Sequence, residues 1–295
     1  MVVLILFLVI ILLIANSQLV LNGASYGLML WYKNVLPLLL PFMLISGLLE
    51  NSVISSDKKP ASKRKLAIPT IIILGLFCGY PIGAKTNAFF LKQGLIDKKT
   101  GNILLPICNN VSPMFFMGFI LTRTLDNQVN TLLCYAMLFI PYILIILLEI
   151  CIYPTDKTKP TTKNKTLISP TVSIASTRSI SEQSINQITH VGLYIMLCSI
   201  ITEFILSFGF LSPMMKLLLT GITEITRGVA YLGDSYLISK KIKTALILSI
   251  TSFGGISSIM QTTKVIQGSG LSLIHYTVVK ILCSICTYFV YILII

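Results

Sequence analysis

The chain consists largely of long apolar stretches joined by short polar segments, and their length limits it to one class of fold. Seven stretches lie at roughly 2–21, 26–49, 66–84, 102–121, 129–153, 190–210 and 273–293, and a mixed stretch covers 244–260. A helix needs about 20 apolar residues to cross a bilayer. The alternating segments of a β-barrel, about 10 residues each, are not seen. With 55% hydrophobic and 11% charged residues and a mean hydropathy of +0.87, the pattern predicts an all-α polytopic membrane protein.

One apolar stretch is interrupted where a membrane helix would be expected to continue. Residues 75–90 read "GLFCGYPIGAKTNAFF", so Gly79, Tyr80, Pro81 and Gly83 break the helix and Lys85 follows. Backbone released from helical hydrogen bonds at membrane depth must be buried in protein or line a wet cavity. The break is therefore either a packed kink or part of a binding site, and Lys85 either faces a ligand or extends to the membrane surface.

The distribution of basic residues favours a re-entrant hairpin over a simple crossing at this break. If the chain enters and leaves on the same side over 66–97, thirteen of the 23 basic residues share one face, in segments 55–65, 92–99 and 154–178. Basic loops are typically cytoplasmic. We therefore expect the N-terminus, the loop and the C-terminus in the cytoplasm of a bacterium, with the protein in its cytoplasmic membrane.

The basic loop divides the chain into two halves. Residues 154–188 are rich in Lys, Thr, Ser and Pro and are expected to be flexible, between an N-terminal half at 1–153 and a C-terminal half at 189–295. The stretch at 2–21 has no basic residues before its apolar run, so we expect a retained membrane helix rather than a cleaved signal. Cys283 and Cys286 form a CxxC without a second pair or a nearby histidine, and His190 and His275 do not have metal-ligand spacing, so no metal is predicted.

The two halves show internal similarity, which is common in transporters. A shift of 174 residues gives nine identities over 45–98 in one register, among them Glu50 with Glu224. This register predicts a second hairpin at about 242–270, broken within "TSFGGISSIMQTTK", after an interfacial helix at 212–232. Three crossings separate the hairpins, so they would enter from opposite sides. We expect inverted repeats whose two hairpin tips meet near the bilayer midplane.

Two segments resemble a known family. "FCGYPIGAKT" with "LLPICNNVSPMFFMGFIL" is similar to the nucleoside-recognition Gate domain in the form of the sporulation integral membrane protein YlbJ family. "SFGGISSIMQTTKVIQGSGLS" distantly resembles the second hairpin of concentrative nucleoside transporters. The chain is shorter than typical members. The resemblance implies a carrier whose solute is held between hairpin tips: dipicolinate for YlbJ-like proteins, or a nucleoside driven by sodium or protons for the transporters. Lys85 favours an anionic solute.

The residues expected to bind the solute lie at the breaks and in the crossing between them. Next to Pro113, the side chains of Asn109, Asn110 and Ser112 either face a ligand or make polar contacts between helices. Glu203 either accepts a coupling proton or pairs with Lys280. Glu50 and Glu224 are coupling acids or structural helix-end groups. The full set of candidate binding residues is Gly79, Tyr80, Pro81, Gly83, Lys85, Asn87, Asn109, Asn110, Ser112, Gly254, Gly255, Ser257, Ser258 and Gln261.

The leading functional hypothesis is a secondary transporter or exporter of a small organic solute, with an anion favoured. The alternative is a Gate-domain membrane protein that does not transport and acts as an assembly or signalling partner, for example in spore or envelope maturation. An enzyme is not expected, because HExxH, GxSxG and Asp-rich clusters are missing. The predicted partners are the lipid bilayer and a small-molecule solute, not nucleic acid, and a homo-oligomer is compatible with the sequence. No cofactor is predicted apart from Na+ or H+ coupling.

Overall fold

The computed structural model describes residues 2–55, 60–121, 130–152, 177–236 and 238–295, and these residues form helices joined by short connections. Two helices continue through π-helical turns, at Trp31–Val35 and Phe116–Leu121. In chain order the α-helices are α1 (Val2–Ala15), α2 (Ser17–Leu30), α3 (Leu36–Ser55), α4 (Pro60–Cys78), α5 (Ile82–Lys92), α6 (Lys98–Cys108), α7 (Pro113–Phe115), α8 (Thr131–Ile152), α9 (Thr177–Ser207), α10 (Pro213–Thr223), α11 (Ile225–Gly233), α12 (Lys240–Phe253), α13 (Gly255–Ile266) and α14 (Leu273–Ile294).

Six segments of the described chain are long and apolar enough to cross a membrane, which identifies an integral membrane protein. Four of them are single or kinked helices close to predicted apolar stretches: Lys98–Leu121, Thr131–Cys151, Ser179–Ser207 and Leu273–Ile294. The other two are the continuous α2–α3 helix, Ser17–Ser55, and the α12–α13 segment, Lys240–Ile266.

The N-terminal helices divide at a different place from the one predicted. The stretch at 2–21 is not one helix, because α1 ends at Ala15 and α2 begins at Ser17. The polar residues that follow stay helical because Gly23 and Gly27 allow α2 to touch α9. A Cβ atom at Gly23 would lie 2.7 Å from the Cα atom of Ile200.

The C-terminal boundary of the basic loop is also corrected. The prediction of a flexible segment to residue 188 is wrong at its end, because α9 already begins at Thr177. Ile180, Ser184 and Ile188 are buried there, so tertiary packing makes a polar sequence helical. Residues 154–176 of the predicted loop lie outside the described residues.

The first predicted break separates two helices that fold back on each other. α4 ends at Cys78 and α5 begins at Ile82. Ala67 and Ile71 of α4 share a buried cluster with Phe90 of α5, so the two helices are antiparallel. A Cβ atom at Gly83 would lie 3.0 Å from the Cα atom of Gly75 and would overlap the carbonyl oxygen of Cys108. Glycine therefore permits the contact of α5 with both α4 and α6.

A second antiparallel pair forms where a single interfacial helix was predicted. Residues 212–232 are divided at Glu224 into α10 and α11, and the two helices pack against each other. A Cβ atom at Gly228 would overlap the Cα atom of Gly221. The close approach of two glycines thus occurs in both helix pairs. The prediction of one interfacial helix here is corrected, although Ser212 caps its start as expected.

The predicted second hairpin at 242–270 is not a hairpin. α12 and α13 meet at Gly254, but α12 packs along α14, while α13 packs along α5. The Lys92 ammonium at the end of α5 donates to the carbonyl oxygen of Gln267 after α13. At the other end, Lys243 near the start of α12 donates to Gly233 at the end of α11. The segment is therefore a broken helix with its two ends apart.

The order of antiparallel pair, broken helix and long helix occurs twice. α6 begins at 98 and α12 at 240, and α8 spans 131–152 while α14 spans 273–294, so these elements repeat at an offset of 142 residues. The register of 174 residues is wrong. It aligned the break of a helix pair, 79–81, with residues 253–255 at the break of a crossing, two breaks that occupy different places in the repeats.

Side-chain caps fix where several of these helices begin. The hydroxyls of Ser212, Ser239 and Ser272 accept backbone N–H bonds three residues later. Asp97 does the same for α6, accepting from the N–H and the hydroxyl of Thr100. Partial burial opposes ionisation of Asp97, but these hydrogen bonds outweigh it and lower the pKa of the carboxyl. The start of α6 is thus defined by an ionised cap.

We expect Gly83→Ala and Gly228→Ala to destabilise the purified protein, because each new Cβ atom would overlap backbone atoms that cannot move independently. Overpacking of this kind costs about 1–3 kcal/mol, so the thermal midpoint in detergent should fall. Gly209→Ala is the matched control, since no atom lies within 4 Å of the position that its Cβ atom would take. Equal midpoints for all three variants would contradict the described contacts of α5 and α11.

Candidate functional site

Four helix breaks meet around one internal pocket. Each break contributes a polar side chain to the lining: Tyr80 between α4 and α5, Ser112 between α6 and α7, Glu224 between α10 and α11, and Ser257 in the first turn of α13. Four other cavities among the described residues are each lined by fewer of these breaks or by none of them. This convergence makes the pocket the candidate site.

Backbone contacts join the first two breaks. The N–H of Tyr80 donates to the carbonyl oxygen of Asn110 at 2.8 Å. Gly79 has a positive φ of 74°, and a Cβ atom there would lie 2.7 Å from both Asn110 O and Ser112 N. Only glycine combines this conformation with this approach. The breaks therefore satisfy part of each other's backbone hydrogen bonding.

Asn109 connects the α6–α7 break to three other helices. Its side-chain nitrogen donates to Thr262 of α13 at 2.7 Å and to the Tyr276 hydroxyl of α14 at 3.0 Å. Its side-chain oxygen accepts from the N–H of Ala84 in α5 at 3.3 Å. These contacts match the interhelical role that the sequence left open for this residue.

The other two breaks also touch. Glu224 caps α11 by accepting from the N–H of Arg227 at 2.7 Å. Gly254 and Gly255 have positive φ values of 85° and 79°. A Cβ atom at Gly255 would lie 3.2 Å from the backbone nitrogen of Ile225. The chain thus passes from α12 to α13 directly beside the cap of α11.

The pocket is small and partly polar. The volume available to the centres of water molecules is about 30 Å³, which is enough for about two waters. Gln261, which is 3% exposed, lines the pocket, and its side-chain oxygen has no hydrogen-bond partner among the described residues. The remaining lining is Val35, Leu38, Leu39, Cys78, Val111, Phe115, Val191, Ile195, Ile225 and Thr226.

The structure places some predicted residues away from the pocket. Lys85 lies 3.6 Å from Glu50, whose other oxygen accepts from the Thr86 hydroxyl at 2.7 Å. Lys85 and Glu50 line an outer cavity instead. Asn87 is buried and donates to the carbonyl oxygen of Gly101 at 2.8 Å.

Pro81 faces an outer cavity beside α9. Ser258 is buried and donates to the carbonyl oxygen of Gly255 at 2.9 Å, so it stabilises the first turn of α13.

Glu203 does not pair with Lys280, as one hypothesis held. It pairs with Arg227, which also donates to the carbonyl oxygen of Ser199 at 2.8 Å. The guanidinium lies 4.6 Å from the centre of the Tyr26 ring. Arg227 is therefore a buried connector of α2, α9 and α11, not the interfacial charge that its sequence context indicated.

Lys280 and Thr226 were not selected from the sequence. Thr226 lies in the lining of the pocket. Lys280 is 0% exposed and lies beside Asn110, directly behind the lining. A charged residue within the stretch at 273–293 was the available signal for Lys280, whereas Thr226 had none.

Three outer cavities lie beyond the pocket, the first next to it and the other two each next to the first. The first shares Val191 and Gln261 with the pocket and is also lined by His190 and Lys264. The second contains Lys85 and Lys92, and the third contains the Gly268 and Gly270 loop. Within the described ranges no three His, Cys, Asp or Glu side chains are grouped to hold a metal ion.

Comparison with known proteins gives one partial relationship. The chain is 25% identical over 122 residues to the sporulation integral membrane protein YlbJ of Bacillus subtilis (strain 168). The match covers 39% of this chain and 30% of that protein, so it spans less than a third of the relative's length. No family model and no solved structure matches the chain. The chain is an integral membrane protein with weak homology to YlbJ.

Proposed function

We propose that the protein is a secondary carrier that binds a small polar organic solute between the helix breaks. In the described structure the pocket is closed around space for about two waters, so binding requires an open form in which the helices around it move apart. The observation that carries the proposal is the convergence of four breaks on one partly polar pocket. A broken helix loses backbone hydrogen bonds, and lipid cannot replace them. Carriers use such breaks to expose backbone and polar groups to a solute.

The arrangement of the helix pairs supports a carrier with two access routes. The start of α12 lies beside the end of α11, and the end of α13 lies beside the end of α5. Because α12–α13 is long enough to span, the α4–α5 and α10–α11 pairs would be re-entrant hairpins that open on opposite sides. The two repeats would then be inverted, with the pocket between their tips. In this arrangement α14 ends on the face opposite the basic loop, so the expectation that the loop and the C-terminus share the cytoplasmic face does not fit it.

The solute class follows from the pocket and the cavities beside it. Hydroxyl, amide and carboxyl groups line the pocket, which suits a nucleoside-like solute with hydroxyl and amide groups. The lysines of the outer cavities, Lys85, Lys92 and Lys264, suit a carboxylate such as dipicolinate. An anion in the pocket would meet the Glu224 carboxyl, and a direct comparison of the two solute types would decide between them.

Uptake by the purified protein in proteoliposomes tests the function. We expect saturable uptake of labelled uridine, adenine or dipicolinate, in excess of that in protein-free vesicles. The name of the relative refers to sporulation, and the alternative role is an assembly or signalling partner in spore or envelope maturation. Absence of uptake and of ligand-induced thermal stabilisation for all three solutes would favour that alternative.

Topology gives a test that needs no solute. In a cysteine-free background, we expect cysteines at positions 98 and 269 to be labelled from one face of the membrane and a cysteine at 241 from the other. A hairpin over 242–270 would instead place 241 and 269 on the same face. Labelling of both from one side would exclude the broken crossing and the inverted arrangement.

Gln261→Leu should reduce uptake at least about tenfold, because it removes a buried oxygen available to a solute. The thermal midpoint should stay the same or rise, since that oxygen has no hydrogen-bond partner in the described structure. Thr189→Val, which changes an exposed residue whose hydroxyl bonds within α9, is the control. Unchanged uptake by Gln261→Leu would place the solute elsewhere.

Lys85 and Glu50 can be separated by a double-variant cycle. We expect Lys85→Met to destabilise the protein by on the order of 1–3 kcal/mol, below the range for fully buried pairs because Lys85 is partly exposed. Adding Glu50→Gln should restore both stability and uptake, because the new amide still accepts from Thr86 and needs no cation. Restored stability with lost uptake would instead assign Lys85 to the solute.

A further inference from the structure

Lys280 is a buried cation that has no carboxylate partner among the described residues. It lies in α14 and is 0% exposed. The ion pairs of the described residues involve Glu50, Glu149 and Glu203, and none includes Lys280. A charge inside a membrane protein is costly and is typically associated with function. The environment of this ammonium therefore needs an explanation.

The described groups that face Lys280 from the neighbouring helices are uncharged or carry only a partial charge. Asn110, after α6, accepts from its ammonium at 3.3 Å. The Tyr142 ring of α8 and the Tyr276 ring of α14 have their centres 5.3 and 6.0 Å away. The Cys283 thiol of α14 is the remaining titratable neighbour. On the α12–α13 side, a Cβ atom at Gly254 would lie 3.9 Å from Nζ.

The ammonium lies where two half-helices end. α6 ends at Cys108, two residues before Asn110, and α12 ends at Phe253, next to Gly254. The C-terminal end of a helix carries a partial negative charge and attracts cations. In carriers with broken helices, such ends coordinate the coupling cation. Lys280 thus places a covalently attached cation between the two broken crossings.

We propose that the Lys280 ammonium takes the place of a coupling metal ion and carries the coupling proton of the carrier. The inference rests on the proposed function and specifies its energy source as a proton gradient. Asn110 provides the link to the solute, because the next two residues, Val111 and Ser112, line the pocket. Gain or loss of the charge on Lys280 would change the relative stability of the conformations of the two helix breaks that it contacts.

The proton step involves one bond. On one side of the membrane, the Nζ lone pair of neutral Lys280 takes a proton from water and forms the ammonium, which donates to Asn110 Oδ1. On the other side, that N–H bond breaks, the proton returns to water, and the electron pair stays on Nζ. The amide nitrogen of Asn110 has no partner among the described residues. Rotation of the amide would let this N–H donate to the neutral amine.

Nuclear magnetic resonance of isotope-labelled lysine tests the titration without any solute. The signal that disappears in Lys280→Met or Lys280→Arg identifies Lys280, and two variants are used in case one does not fold. We expect the chemical shift of this signal to change across the physiological pH range. A Lys280 signal that does not move with pH would overturn the proposal.

Ion-specific stability and driven uptake complete the test. Replacing choline by Na+ should leave the thermal midpoint of the wild-type protein unchanged, and a stabilisation specific to Na+ would also overturn the proposal.

With labelled uridine or dipicolinate, the Lys280 variants should keep solute exchange but lose accumulation driven by a proton gradient. Absence of uptake by the wild-type protein would contradict the carrier function, while the titration and Na+ results would still decide the state of Lys280.

Discussion

The hydrogen bond from the Tyr80 N–H to the carbonyl oxygen of Asn110 illustrates the constraint on which the rest of the structure depends. A helix that stops inside a membrane protein leaves donors and acceptors that lipid cannot satisfy. Here the break after α6 supplies an acceptor for the break after α4, and at the third break Glu224 caps α11. Because each break needs a neighbour, the breaks collect at one place, and the pocket is the space between them.

The first break could be predicted from the sequence because its cause is local. Gly79 adopts a conformation that other residues avoid, and Pro81 cannot continue a helix. The break at Glu224 has no comparable signal, since neither glycine nor proline adjoins it on the chain. A buried carboxylate that caps α11 makes this break, and burial depends on contacts that sequence periodicity does not contain.

The misplaced second hairpin has a related cause. Gly254 and Gly255 are the strongest indication of a helix break in the C-terminal half, so the sequence pattern predicts that the chain turns back at that point. Glycine at a break does not determine the direction in which the chain continues, whereas packing does. The Gly221–Gly228 contact shows that direction in the structure, but two glycines seven residues apart in the sequence do not by themselves indicate that the chain turns back between them. Lys216 and Arg227 further suggested an interface, although Arg227 is buried against Glu203.

The contact between Gly83 and the carbonyl oxygen of Cys108 has a mechanical consequence. There is no space between α5 and α6 at this point for one to slide or tilt without the other. Asn109 extends the connection to α13 and α14. In the proposed carrier, a motion that opens the pocket would therefore move α5, α6, α13 and α14 together relative to α2 and α9, rather than move the tip of the α4–α5 pair alone.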